Sequence, residues 1–180
     1  FVWLIYGFKL TGKHQMHLVL INPLSKKSGL GASKNSSFPP LSLCYIAAVT
    51  PSAYRVTIID ENVETCRFPD ADLVGVTGYT SAINRGYQIA SVYRKKGVPV
   101  IMGGVHVSML PDEALEYCDC VVVGEAETVW PNVVGDFENR ALKRIYNGGF
   151  TDIKSLPLPR RDLLAPDYKW GTLQTSRGCP

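Results

Sequence analysis

A doubly wound α/β domain built on a five-stranded parallel sheet is the fold that this sequence predicts. Two observations carry it. Five short runs, Leu18–Ile21, Val56–Ile59, Leu73–Val76, Val98–Met102 and Cys120–Val123, are rich in β-branched residues and apolar on both parities. That is the pattern of strands covered on both faces. Between them lie stretches with helical spacing of apolar residues, and strict alternation of strands and helices implies parallel pairing with crossover connections.

Each element follows from local chemistry. The first strand runs into Asn22-Pro23-Leu24 and a long Ser/Gly/Lys/Asn loop, NPLSKKSGLGASKNSSFPP; loops of that length in compact domains are generally functional or mobile. A helix over Pro40 to Val49 opens on Pro-Pro and places Leu41, Tyr45 and Ala48 on one face. The third strand exits through Thr77-Gly78-Tyr79-Thr80-Ser81 into a helix over Ser81 to Lys96, with Ile83, Tyr87 and Ala90 at helical spacing. Arg94-Lys95-Lys96 closes it before Gly97, cations complementing the dipole. The fourth strand exits through the loop GGVHVS, the fifth through GEAE, and Pro111 opens the helix PDEALEY with acids in its first turn. A last helix lies in EAETVWPNVVGDF, where Pro131 bends or restarts it.

These elements place an α/β domain at residues 16–140, a linker at 141–170 and the start of a further domain at 171–180. ALKRIYNGG reads as a short strand or turn, the proline-rich SLPLPRRDLLAPDYKW as an ordered linker, and GTLQTSRG as the resumption of a strand. Residues 1–15, FVWLIYGFKLTGKHQ, are an N-terminal extension forming an edge strand or a vector-derived stretch ahead of Met16. Their apolar part is shorter than the ~20 residues of a membrane helix, and no cleavage-site pattern follows.

Composition narrows the function. The 180 residues are 46% hydrophobic and 19% charged with net charge +3, and the basic residues are scattered, so no basic and aromatic face suggests nucleic acid. Five cysteines at 44, 66, 118, 120 and 179 form no paired framework, which points to a reducing, cytoplasmic location. Cys118-Asp119-Cys120 reads as core packing, because no second pair follows to close a structural metal site. No phosphate-binding glycine motif, receiver-type acidic cluster or hydrolase triad is visible, so the chain carries no self-contained catalytic apparatus. Its small and hydroxyl-rich strand ends instead favour a large ligand across the carboxyl edge of the sheet.

The fragments PPLSLCYIAAV, IIDENVE, DLVGVTGYTSAINRGYQIA, VPVIMGGVHVSMLPDEAL, CDCVVVGEAE, SLPLPRRDLL and TSRGCP occur in that order. Together they resemble the N-terminal, cobalamin-binding part of cobalamin-dependent radical S-adenosylmethionine enzymes. The resemblance implies a flavodoxin-like cobalamin domain ahead of a C-terminal radical barrel in cis, and methyl transfer or related radical carbon–carbon bond formation on a small-molecule substrate. It implies that Thr77, Gly78, Tyr79, Thr80 and Ser81 line the slot for the nucleotide tail and that Gly103 and Gly104 give it room. It places Val105, His106, Gly124 and Glu125 near the corrin edge or tail. Cys179 would be the first of three thiolates holding a [4Fe–4S] cluster, whose fourth iron takes S-adenosylmethionine. The cobalt-ligating histidine motif of the better-known cobalamin domains is missing after strand one, where Asn22, Pro23 and Leu24 stand instead. The alternative is a non-catalytic module that uses the same cleft for another nucleotide-like ligand or a protein partner.

Overall fold

The computed structural model describes residues 15–25, 38–166 and 168–177; Cys179 and residues 1–14 lie outside them. Six strands form one sheet in the order β2-β1-β3-β4-β5-β6, all parallel: β1 His17–Asn22, β2 Arg55–Asp60, β3 Leu73–Thr77, β4 Val100–Gly103, β5 Cys120–Val123 and β6 Ile145–Asn147. The expected five strands are all present, and the sheet gains a sixth. It is the short strand or turn expected in ALKRIYNGG, three residues long with only Tyr146 buried, and it joins the sheet rather than standing in a linker. It forms because the β5 edge offers free backbone groups, which it pairs from Val121↔Ile145 to Val123↔Asn147.

The two faces have separate cores. Val19, Ile21, Val74, Val76, Val100 and Met102 pack with Ile89, Ala90 and Tyr93 of α2 (Ile83–Lys95) and Ala114 of α4 (Pro111–Tyr117). Leu18, Leu20, Leu73, Ile101 and Val122 pack with Leu43, Cys44 and Ile46 of α1 (Leu41–Val49) and with Trp130, Val133 and Val134 of α5 (Trp130–Glu138). Period-two alternation along β1 thus feeds both layers, which is why its core residues are almost wholly buried. Gly97 ends α2 with φ +75°, the left-handed conformation that glycine adopts without a Cβ penalty.

Three local expectations change. GGVHVS is not a loop: Val105–Met109 forms the short helix α3 directly after Gly104. No helix joins β2 to β3, against the strict alternation expected, whereas Pro131 does restart the last helix, opening α5 after the 3-10 turn Ala126–Thr128 from a first-turn position where its missing N–H costs no hydrogen bond. Residues 168–177, where a strand was expected to resume, contain none.

Candidate functional site

Parallel packing brings the carboxyl ends of β1, β3, β4 and β5 to one edge, where they open on a cleft of about 790 Å³. Its interior is apolar: Leu20, Ile101 and Val122 rise from the sheet, with Ile46 and Trp130 facing them from α1 and α5. Gly75 keeps that floor level, since a Cβ there would lie 2.7 Å from a Leu20 methyl and 3.8 Å from the Trp130 ring. The indole N–H of Trp130 donates to the Thr50 hydroxyl at 2.9 Å, which itself donates to the Ile46 carbonyl at 2.7 Å. The polar end of the tryptophan is therefore satisfied and its ring serves as an apolar wall.

The mouth is polar and glycine-rich. Asn22, Thr77, Tyr79, Gly103, Gly104, Val105, Gly124 and Glu125 line the cleft, as expected of a strand-end ligand site. Asn22 donates its amide to the buried Asp60 carboxylate at 2.9 Å, and Asn62 and the Tyr168 hydroxyl donate to the same carboxylate at 2.7 Å. Burial followed by the Asp60 contact drives the Tyr168 hydroxyl well above the usual phenol range.

The remaining expected residues do not line it. Pro23 is buried toward Gly86 of α2. Leu24 is half exposed and its N–H donates to Glu61 at 3.1 Å. Gly78 faces Ile83 and Val107 in the opposite layer, and the Ser81 hydroxyl meets that of Ser25 at 2.7 Å. His106 is buried on α3 with one ring nitrogen 3.1 Å from the Thr80 hydroxyl and the other 3.4 Å from Glu113. Tyr87 also donates to Glu113 at 2.8 Å, and this bond, ahead of the histidine, holds that carboxyl below its ordinary range.

The residues that sequence reasoning passed over are Trp130, Glu127 and Arg177. Arg177 reaches the cleft from the far end of the chain, as do Thr172, Leu173 and Gln174. Its guanidinium donates to Glu127 at 2.7 Å and Glu125 at 3.4 Å, and both Arg177 and Glu127 side chains are under a tenth exposed. Burial raises the Glu125 carboxyl, but Thr151 and Arg177 outweigh it and leave the group below its ordinary range. Removing one partner from such a buried pair costs about 3–5 kcal/mol. The only signal in the sequence was the repetition of acids in GEAE. The described cysteines, Cys44, Cys66, Cys118 and Cys120, are buried and do not line the cleft, and no cluster of metal-ligating side chains occurs among the described residues.

Comparison with known proteins adds to this geometry. The profile of the B12 binding domain matches residues 27–134. The chain is 32% identical over 151 residues to bacteriochlorophyllide d C-8(2)-methyltransferase of Chlorobaculum tepidum, covering 78% of this chain and 34% of that protein. It is 30% identical over 201 residues to an uncharacterized methyltransferase of Pyrococcus horikoshii, covering 92% and 44%. The chain thus spans less than half the length of these relatives. Among solved structures, the cobalamin-dependent S-adenosylmethionine radical enzyme OxsB with aqua-cobalamin bound superposes with a TM-score of 0.55 at 16% identity, over 72% of this chain and 20% of that one. This last likeness is one of fold.

Proposed function

This chain belongs to the B12-binding domain family, and on that premise we propose that the strand-end cleft holds cobalamin for a methyl-transferring radical enzyme. The observation that carries the reading is the cleft itself: an apolar slot with a polar, glycine-rich mouth at the carboxyl edge of a parallel sheet. Its residues fit the group. Leu20, Ile101, Val122 and Trp130 suit a flat aromatic base, while Thr77, Asn22 and the backbone at Gly103 and Gly124 suit amide and phosphate groups. The buried Thr172 hydroxyl at the same cleft has no hydrogen-bond partner among the described residues. Cobalamin, when bound, supplies a cobalt centre able to carry a methyl group.

The finer reading extends the relatives' names to this chain. Methyltransferase names among the relatives support methyl transfer. The order of motifs ending in Ser176-Arg177-Gly178-Cys179 supports a following radical barrel in cis, with Cys179 on a [4Fe–4S] cluster that binds S-adenosylmethionine. Buried free thiols accord with a reducing cytoplasm, and no helix among the described residues is long and apolar enough to cross a membrane.

Among the described residues no histidine lines the cleft: the ring nitrogens of His106 face Thr80 and Glu113, and those of His17 face Asp70 and Thr57. On this reading the described residues would offer cobalamin no imidazole ligand, a difference that would tune the metal's electronics. Titration with hydroxocobalamin followed by visible absorption tests binding. Electron paramagnetic resonance of the reduced cobalt(II) form then shows no imidazole nitrogen coupling. A coupling that vanishes in His106→Ala would overturn the ligand assignment, and no binding at all would overturn the cofactor.

A further inference from the structure

We infer that Arg177 is a positioning residue that pins the segment leading to Cys179 against the domain, so that this segment forms one wall of the cofactor cleft. The inference rests on reading the cleft as the cobalamin site. Every edge of the guanidinium is engaged: with Glu127 at 2.7 Å, Glu125 at 3.4 Å and Gln174 at 3.1 Å, while its face lies 4.9 Å from the Tyr45 ring centre. The anchors come from two places: Tyr45 from α1, and Glu125 and Glu127 from the turn after β5. Both glutamates fall inside the residues matched by the B12-binding profile, and Arg177 falls outside them.

The carried segment has no regular structure of its own. Its other ties are the Tyr168–Asp60 hydrogen bond and the Arg161 contact to the Thr172 carbonyl. Thr172, Leu173 and Gln174 nevertheless line the cleft. A buried ion pair adds little net stability compared with an apolar pair of the same shape, and its best-attested use is to fix one arrangement among several. A planar, permanently charged fork is suited to that task, and lysine reproduces only its charge.

Hydrogen exchange on the 180-residue chain, with and without hydroxocobalamin, tests the assignment. In Arg177→Met, exchange across residues 168–177 rises about a hundredfold or more, the scale expected for loss of a buried partner, and cobalamin dissociates more readily, while amides of β1 to β5 stay protected. Arg177→Lys restores part of both effects. Glu127→Gln, which removes the charge at nearly constant shape, moves both readouts in the same direction and stands in should Arg177→Met fail to fold. Parental exchange in both Arg177→Met and Glu127→Gln overturns the inference, and raised exchange with parental affinity overturns the wall. A parent chain that binds no cobalamin refutes the cofactor reading, and exchange then decides by itself whether Arg177 pins the segment.

Discussion

Gly104 lies so close to Gly78 that a Cβ on it would meet the Gly78 nitrogen at 2.9 Å and its carbonyl oxygen at 3.0 Å. Gly104 also holds φ +98° and ψ 179°, a region open essentially to glycine alone. Its small size serves the backbone join between β3 and α3, through which the His106 N–H donates to the Gly78 carbonyl. Gly103 differs, for a Cβ there meets only ordinary contacts with Val122 at 3.6 and 3.9 Å.

The two glycines are therefore separable. Gly104→Ala is expected to lower stability by about 1–3 kcal/mol or more through strain, read by thermal denaturation. Gly103→Leu is expected to keep the parental melting temperature and lose cobalamin binding by calorimetry, because its side chain enters the cleft mouth. Parental affinity in Gly103→Leu would remove this strand end from the site.

A second expectation concerns the Trp130 wall. Thr50→Val keeps the shape of the side chain but leaves the buried indole N–H without its acceptor, a cost of about 1–3 kcal/mol. Thr50→Ser keeps the hydroxyl and most of the stability. Urea denaturation of the three proteins measures the difference.

Thiol chemistry gives a third. Burial pushes the Cys44 and Cys118 thiols up to about 11 and that of Cys120 up to about 12, so almost no thiolate exists near neutrality. Alkylation of the native chain at pH 8 is expected to spare Cys44, Cys66, Cys118 and Cys120, and peptide mapping after labelling locates any exception. Rapid labelling of Cys120 in the folded chain would contradict its place in the core.

Acidification gives a fourth. Burial, then the nearby Arg55 charge, lowers the pKa of His17 below 6.5 despite its hydrogen bond to the Asp70 carbonyl. The unfolded chain thus binds this proton more readily than the folded one, so the stability from neutral His17 is complete above about 6.5 and is lost as pH falls below that value. Melting temperatures between pH 7 and 5 are expected to fall less steeply in His17→Gln than in the parent.

The fold was legible because strands buried on both faces leave continuous apolar runs, as Leu18–Ile21 and Val98–Met102 do. β6 was legible only as a short strand or turn in ALKRIYNGG, and not as a member of the sheet, because an edge strand of three residues needs only one buried side chain, Tyr146. Helix α3 escaped because its five residues follow two glycines, which announce a turn. The mouth of the cleft was readable at Thr77, Gly103 and Gly124, since strand ends in an α/β sheet converge. Its interior was not, because Trp130 and Leu20 meet only through the crossing of α5 over the sheet. The pairing of Glu127 with Arg177, fifty residues apart, leaves no periodic trace at all.

Trp130 is 3% exposed in the wall of the cleft, while Trp170 is 59% exposed near the end of the described chain. The consequence is photophysical. An indole sealed from water emits at shorter wavelength than a solvated one, and a corrin held against it absorbs in the same region. If cobalamin fills the cleft as proposed, it should quench the Trp130 emission, and Trp130→Phe should remove that share of the signal, so the wall also reports, without any added label, when the slot is full.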